Sequence, residues 1–344
     1  MNLTVTVQPA GRSFEVMRDE AILPAAIRQG IGLPYGCKDG ACGSCKSRLL
    51  EGRVIHGAHQ LKALSVAEEE AGYVLTCCAT PQTDCAIEQR QVTAVGQFPI
   101  IKMPARVSTL QRVAPDVMVV TLQLPANQVF RYHAGQYVEF ILRDGSRRSY
   151  SMANAPDDLP TSMELHIRHM PGGKFTDHVF GAMKEKEILR LEGPYGSFFL
   201  REDSDRPIVL LASGTGFAPI KALIEHMRAK GIDHRPATLY WGARRPADLY
   251  LHAWAEQAAA ELPWLRYVPV LSDAVSEDDW RGRTGFVHRA VMADLPDLSG
   301  HEVYACGVPI MVESARRDFV AQAGLPEEAF YADAFTSEAD KHAA

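Results

Sequence analysis

A chain of 344 residues is longer than one ordinary hydrophobic core supports and calls for two or three domains. With 47% apolar residues, 23% charged residues and a net charge of −6, it reads as globular and lacks the basic stripe of a nucleic-acid surface. No run approaches the ~18 apolar residues of a membrane span, the opening "MNLTVTVQPAGRSF" is unlike a secretory leader, and seven cysteines do not suit a disulfide framework, so a cytoplasmic location is expected.

The first ninety-odd residues read as a small sheet domain. "LTVTVQP" and "RSFEVM" alternate like a hairpin pair, "EAILPAAIRQGI" has helical spacing, and "SRLLEGRVI" and "CAIEQR" return to strands. Between them lies "PYGCKDGACGSCKSRLL", in which Cys37, Cys42 and Cys45 stand close together among Gly36, Gly40 and Gly43. Such glycines let the backbone curl and turn its N–H groups toward bound sulfur. A further cysteine pair, Cys77 and Cys78, follows in "GYVLTCCAT". The spacing C-x4-C-x2-C, then 31 residues to Cys77, is that of a plant-type 2Fe–2S centre. Zinc is the competing occupant, but structural zinc sites usually carry two C-x2-C knuckles and one is present. Cys85 alternates with apolar neighbours and is expected to be a small core residue. On these motifs residues 1–92 resemble a plant-type ferredoxin, which implies a β-grasp fold and selects Cys77 over Cys78 as fourth ligand.

Residues 93–103 read as a linker, after which "RVSTLQRV", "VMVVTLQL" and "QYVEFIL" predict an antiparallel barrel over 104–204. Toward its end stands "SRRSYSMAN", where Arg148 and Tyr150 share one face of an alternating strand. Then "HMPGGKFTDHVF" sets Gly172, Gly173 and Thr176 at a helix start, a place suited to anions. Arg148-Ser149-Tyr150-Ser151 is similar to the R-x-Y-S motif of the ferredoxin–NADP reductase superfamily. That resemblance implies FAD on the barrel, with Arg148 on its pyrophosphate, Tyr150 against the ring and ribityl chain, and Ser151 near N5. It also implies a second pyrophosphate contact at Gly172 and Gly173, with Thr176 capping the helix.

Residues 205–344 open with "RPIVLLASGTGFAPIKALIEHMRAKG", a buried strand, a glycine turn and an amphipathic helix, the first unit of a doubly wound parallel sheet. "TLYWGAR", "RYVPVLS" and "EVYACGVP" supply further strands. Gly214-Thr215-Gly216 followed by Ala218-Pro219, and later Cys306-Gly307 with Pro309, resemble the nicotinamide domain of the same superfamily. The resemblance implies a pyrophosphate over Gly214 and Gly216 and Cys306 beside the nicotinamide. It further implies a terminal aromatic covering the flavin, for which Phe335 is the candidate and Tyr331 the second choice. The polar residues after it are expected to be disordered.

The complete order resembles reductase components that serve aromatic-ring oxygenases and the glucoseen reductases of deoxysugar synthesis. It implies that two electrons enter as hydride from NADH to FAD and leave singly, through the cluster, to an oxygenase or dehydratase partner. Arg244 and Arg245 would suit the 2′-phosphate of NADPH, whereas the families resembled use NADH, which is the expected donor. The alternative function is a redox-sensing iron–sulfur flavoprotein. An oxygenase active site is not expected, since no cysteine has a histidine at Rieske spacing.

Overall fold

The computed structural model describes residues 2–94, 98–156 and 161–336; part of the expected linker (95–97) and the polar tail (337–344) lie outside them. The chain falls into two compact units, 1–97 with 196–198 and 332–344, and 98–195 with 199–331.

In the first unit, β1 (Leu3–Gln8) pairs antiparallel with β2 (Arg12–Val16). Helix α1 (Ile22–Arg28) follows, with Pro24 in its first turn, where a missing N–H leaves no bond unmade. Beyond the cysteine loop come β3 (Lys46–Glu51), α2 (Val66–Glu70), β4 (Tyr73–Leu75) and β5 (Cys85–Glu88). The five strands form one sheet in the order β2-β1-β5-β3-β4, and β5 runs parallel to β1. A hairpin, a helix and a last strand laid beside the first make the expected β-grasp. Val5, Val7, Ile22, Leu23, Ala26 and Ile87 are fully buried or nearly so. Cys85 is buried as well, in keeping with its strand alternation.

The second unit holds two layers of architecture. Its barrel consists of β6 (Ile101–Ala114), β7 (Val117–Gln123), β8 (Tyr137–Ile141), β9 (Arg147–Ser151), β10 (Ser162–Arg168) and, after helix α3 (Lys174–Gly181), β11 (Ile188–Tyr195). The strands are antiparallel in the order β9-β8-β11-β6-β7-β10. A bridge from Met152 to Leu165 joins the two ends of that order and closes the barrel. Val107, Val120, Leu122, Phe130, Val138, Phe140, Met163 and Leu191 fill it.

The remaining sheet contains β12 (Ile208–Ser213), β13 (Ala237–Ala243), β14 (Leu265–Leu271), β15 (Arg283–Thr284), β16 (Glu302–Gly307) and β17 (Phe330–Ala334). The order is β15-β14-β13-β12-β16-β17, and the pairings among β12 to β16 are all parallel. Helices α4 (Phe217–Lys230), α5 (His252–Glu261), α6 (Val287–Asp294) and α7 (Pro309–Ala323) alternate with the strands. Strand order reverses between β12 and β16. In doubly wound sheets, the crevice beyond the carboxyl ends at such a reversal is where ligands bind.

Candidate functional site

Four sets of predicted residues can be placed. In the cysteine loop the thiols form two pairs. The Cys37 N–H donates to Cys42 Sγ at 3.4 Å, and Cys45 Sγ lies 3.3 Å from Cys77 Sγ. Among the described residues no group of three or more His, Cys, Asp or Glu side chains is gathered to enclose a single ion. Two thiolates per metal is what a binuclear cluster requires, whereas one tetrahedral zinc needs all four sulfurs around one point. The donor set therefore fits a 2Fe–2S cluster. Cys42 is held down to about 6, first by the Cys37 thiol and then by the Cys37 N–H and Ser44. Cys37 and Cys77 are pushed far up, first by the thiols they bond to and then by burial. Among the described residues no two cysteines are joined by a disulfide.

The loop is supported from elsewhere in the same unit. Tyr35 N–H donates to Ser197 Oγ at 2.9 Å, and Gly196 N–H donates to the Tyr35 hydroxyl at 2.9 Å. Asp333, 7% exposed, sets a carboxylate oxygen 3.2 Å from the position a Cβ on Gly36 would occupy. Phe335 follows it, half-buried, and belongs to this cysteine-bearing unit.

On the barrel, alternation along β9 leaves Arg148 and Tyr150 half-buried on one face, as predicted. Tyr150 packs beside Phe140 and Phe175, and burial raises its hydroxyl pKa. The same alternation turns Ser149 and Ser151 the other way; Ser149 is exposed and Ser151, the last strand residue, is buried. Gly172 has φ +83°, and Gly173 is the N-cap of α3. Thr176 does not cap that helix. Its hydroxyl accepts from Met170 N–H at 3.2 Å and donates to Met170 O at 2.8 Å, closing the preceding turn instead. The physical reason is position: Thr176 lies inside the first turn, so its hydroxyl reaches back to the entering chain. Gly172 N–H donates to Asp177.

At the sheet reversal the two glycine motifs meet. Gly214–Gly216 form a short 3-10 turn leading straight into α4. A Cβ added to Gly216 would lie 2.2 Å from the Cys306 carbonyl oxygen, so only glycine permits this approach. Ala212 pairs with Cys306 across β12 and β16, and the Val308 N–H donates to Ser213 Oγ at 3.1 Å. Beneath the turn, Phe217 stacks on Trp241 at 3.8 Å, and the indole N–H donates to Gly214 O at 3.2 Å.

One residue here escaped the sequence reading. Arg168, at the end of β10, lies with Nη1 3.1 Å from the Cβ position of Gly214. Its Nε is 3.2 Å from Asp116 without hydrogen-bond alignment, and both Nε and Nη2 are buried with no hydrogen bond. A half-buried guanidinium, set over a helix start with two buried donors that find no hydrogen bond among the described residues, is suited to an anion. Behind it His166 joins Tyr250 (2.9 Å) and Glu164 (2.9 Å), while Lys221 pairs with Glu164 and Glu225. Glu164 is held at about 2: burial opposes ionisation, but His166 and Lys221 outweigh it. The signal in sequence was slight, one of two charges in the alternating run "ELHIR".

Family profiles match in the same order: a 2Fe–2S iron–sulfur cluster binding domain at residues 5–82, an oxidoreductase FAD-binding domain at 104–200 and an oxidoreductase NAD-binding domain at 210–317. The CDP-6-deoxy-L-threo-D-glycero-4-hexulose-3-dehydrase reductase of Yersinia pseudotuberculosis is 39% identical over 97% of this chain and 99% of its own. The phenol hydroxylase P5 protein of Acinetobacter pittii is 36% identical over 99% and 96%. Among solved structures, the Amycolatopsis cytochrome P450 reductase GcoB aligns with a TM-score of 0.77 and 33% identity over 97% of this chain and 99% of that one.

The chain belongs to this family of iron–sulfur flavin reductases. It is an oxidoreductase of the reductase-component type, with domains for a 2Fe–2S cluster, FAD and NAD. Among the described residues no helix of the reductase is long and apolar enough to cross a membrane.

Proposed function

We propose that this reductase uses NADH and delivers electrons one at a time to a partner protein, either a deoxysugar dehydratase or an oxygenase component, in the cytoplasm. Residues 1–92, 104–204 and 205–344 would serve as cluster, flavin and nicotinamide domains. When bound, FAD accepts hydride from the nicotinamide, and the cluster carries single electrons onward. The residues of the chain do the holding. Cys37, Cys42, Cys45 and Cys77 would hold the cluster. Arg148 binds the flavin pyrophosphate, Tyr150 packs on the flavin, and Ser151 lies near its reactive edge, with Ser149, Gly172, Gly173 and Thr176 shaping the rest of the pocket. Gly214, Thr215 and Gly216 seat the nicotinamide dinucleotide's pyrophosphate under Arg168. Cys306 and Gly307 border the nicotinamide.

The observation that carries this reading is the contact of the Gly214–Gly216 turn with Cys306 at the strand reversal, with an unsatisfied arginine above it. NADH is favoured because carboxylates flank the basic pair. Arg245 donates to Asp278 at 2.8 Å, Asp248 accepts the Arg245 N–H, and Arg244 lies 3.8 Å from Asp248. Two carboxylates beside those arginines disfavour a 2′-phosphate.

Anaerobic titration with NADH or NADPH, followed by visible absorption, tests the proposal. NADH should bleach the flavin bands and the broad iron–sulfur band together, with NADPH much slower. Bleaching of the flavin bands alone would refute internal delivery to the cluster, and faster reaction with NADPH would refute the donor assignment.

A further inference from the structure

A fifth thiol, Cys78, stands beside the four proposed ligands, next to Cys77. Its backbone is fixed on both sides: the Cys78 N–H donates to Leu75 O and its carbonyl accepts from Gly57 N–H, each at 2.9 Å. Its sulfur lies 3.4 Å from Cys77 Sγ. It also rests in a notch of the cysteine loop. A Cβ added to Gly40, whose φ is +77°, would stand 2.8 Å from Cys78 Sγ and 2.9 Å from His59 Cβ. The sulfur that meets Cys45 is that of Cys77. Two adjacent thiols thus have separate stations, Cys77 against Cys45 and Cys78 against the turn at Gly40.

We infer that Cys78 is a positioning residue for electron transfer, whose S–H donates a hydrogen bond to the Cys77 sulfur and raises the reduction potential of the cluster. This rests on the reductase reading above. A ligand thiolate has lone pairs left after binding iron, and a thiol that binds no metal keeps its proton and is a weak donor. Reducing the cluster adds negative charge that spreads onto its sulfurs. A donor aimed at one of them therefore stabilises the reduced state more than the oxidised state. Hydrogen bonds to the sulfurs are among the levers that set such potentials. The glycine at 40 has a matching purpose, since any side chain there would push the donor off its line.

The test uses the full-length reductase with its cofactors, as wild type, Cys78→Ala and Cys78→Ser. Iron and acid-labile sulfide are assayed, and the midpoint potential is measured by electron paramagnetic resonance of the reduced cluster. Cys78→Ala should keep wild-type iron and a wild-type resonance while its midpoint shifts negative. Cys78→Ser, whose hydroxyl still donates, should remain at or above the wild-type midpoint. An unmoved midpoint in Cys78→Ala overturns the donor role. Loss of the cluster in Cys78→Ala, or an oxygen-ligated spectrum in Cys78→Ser, overturns it by making Cys78 a ligand. A wild-type chain that binds no 2Fe–2S cluster would instead sink the reductase reading itself.

Discussion

Arg168→Gln separates a nucleotide clamp from a structural ion pair. The side chain keeps much of its length but loses the charge and the planar fork that match a pyrophosphate. A hydrogen bond to a charged group contributes about 1.5–3 kcal/mol net. At about 1.4 kcal/mol per tenfold, KM for NADH should rise roughly 10- to 150-fold, with kcat changed little if the contact is equal in ground and transition states. The ion pair with Asp116 is partly exposed, at 25% and 39% for the two side chains, so its loss should cost only about 0–1 kcal/mol of stability. The assay is steady-state NADH oxidation with a one-electron dye as acceptor, run beside a thermal melt. Arg168→Lys should fall between wild type and Arg168→Gln, because a point charge replaces some of the attraction without the fork. A KM within twofold of wild type for folded Arg168→Gln would refute the argument. A collapsed melting temperature would show that the arginine holds the turn together instead.

Gly216→Ala places a methyl 2.2 Å from the Cys306 carbonyl, where only backbone can give way, so a loss of about 3 kcal/mol or more is expected in a denaturant melt. Asp278→Asn releases Arg245 from its 2.8 Å partner, a surface pair of small net strength, and should improve kcat/KM for NADPH relative to NADH by up to about fivefold, read by parallel steady-state assays. His133 stacks on Phe199 at 4.5 Å and is pushed down to about 4, chiefly by burial. Its folded pKa lies below the ordinary 6.5, so the unfolded chain binds the proton more readily. Its stabilising contribution is complete above pH 6.5 and declines as the pH falls toward 4; in urea melts across that window, His133→Phe should flatten the decline.

Much of the architecture was legible because short-range chemistry dictates it. Three cysteines within nine residues can only converge if the chain curls, and glycine is what lets it curl. Gly214-Thr215-Gly216 and Cys306-Gly307 were readable separately, each at the end of an apolar run. What sequence could not supply was that strand order puts those ends side by side, at Ala212 and Cys306. Arg168 stayed hidden for the same reason. Its partner turn lies more than forty residues further on, and one charge in a strand looks the same whether it faces water or a neighbouring domain. The misjudged cap at Thr176 is a local error: a hydroxyl within the first turn can bond backward, and here Met170 lies closer than the helix start it was expected to serve. Helix α2 had a readable signal that went unused, since Ser65 and Glu68 form a capping box.

The stacked Phe217–Trp241 pair gives the reductase a built-in optical reporter. Trp241 is fully buried, and its indole N–H is bonded to Gly214, the residue on which an incoming pyrophosphate would press. Any shift of that carbonyl alters the hydrogen bond of the indole and so its emission. Nucleotide binding could therefore be followed by tryptophan fluorescence using a non-reducible analogue, independently of flavin or cluster colour, and Trp241→Phe would identify which of the four tryptophans carries the signal.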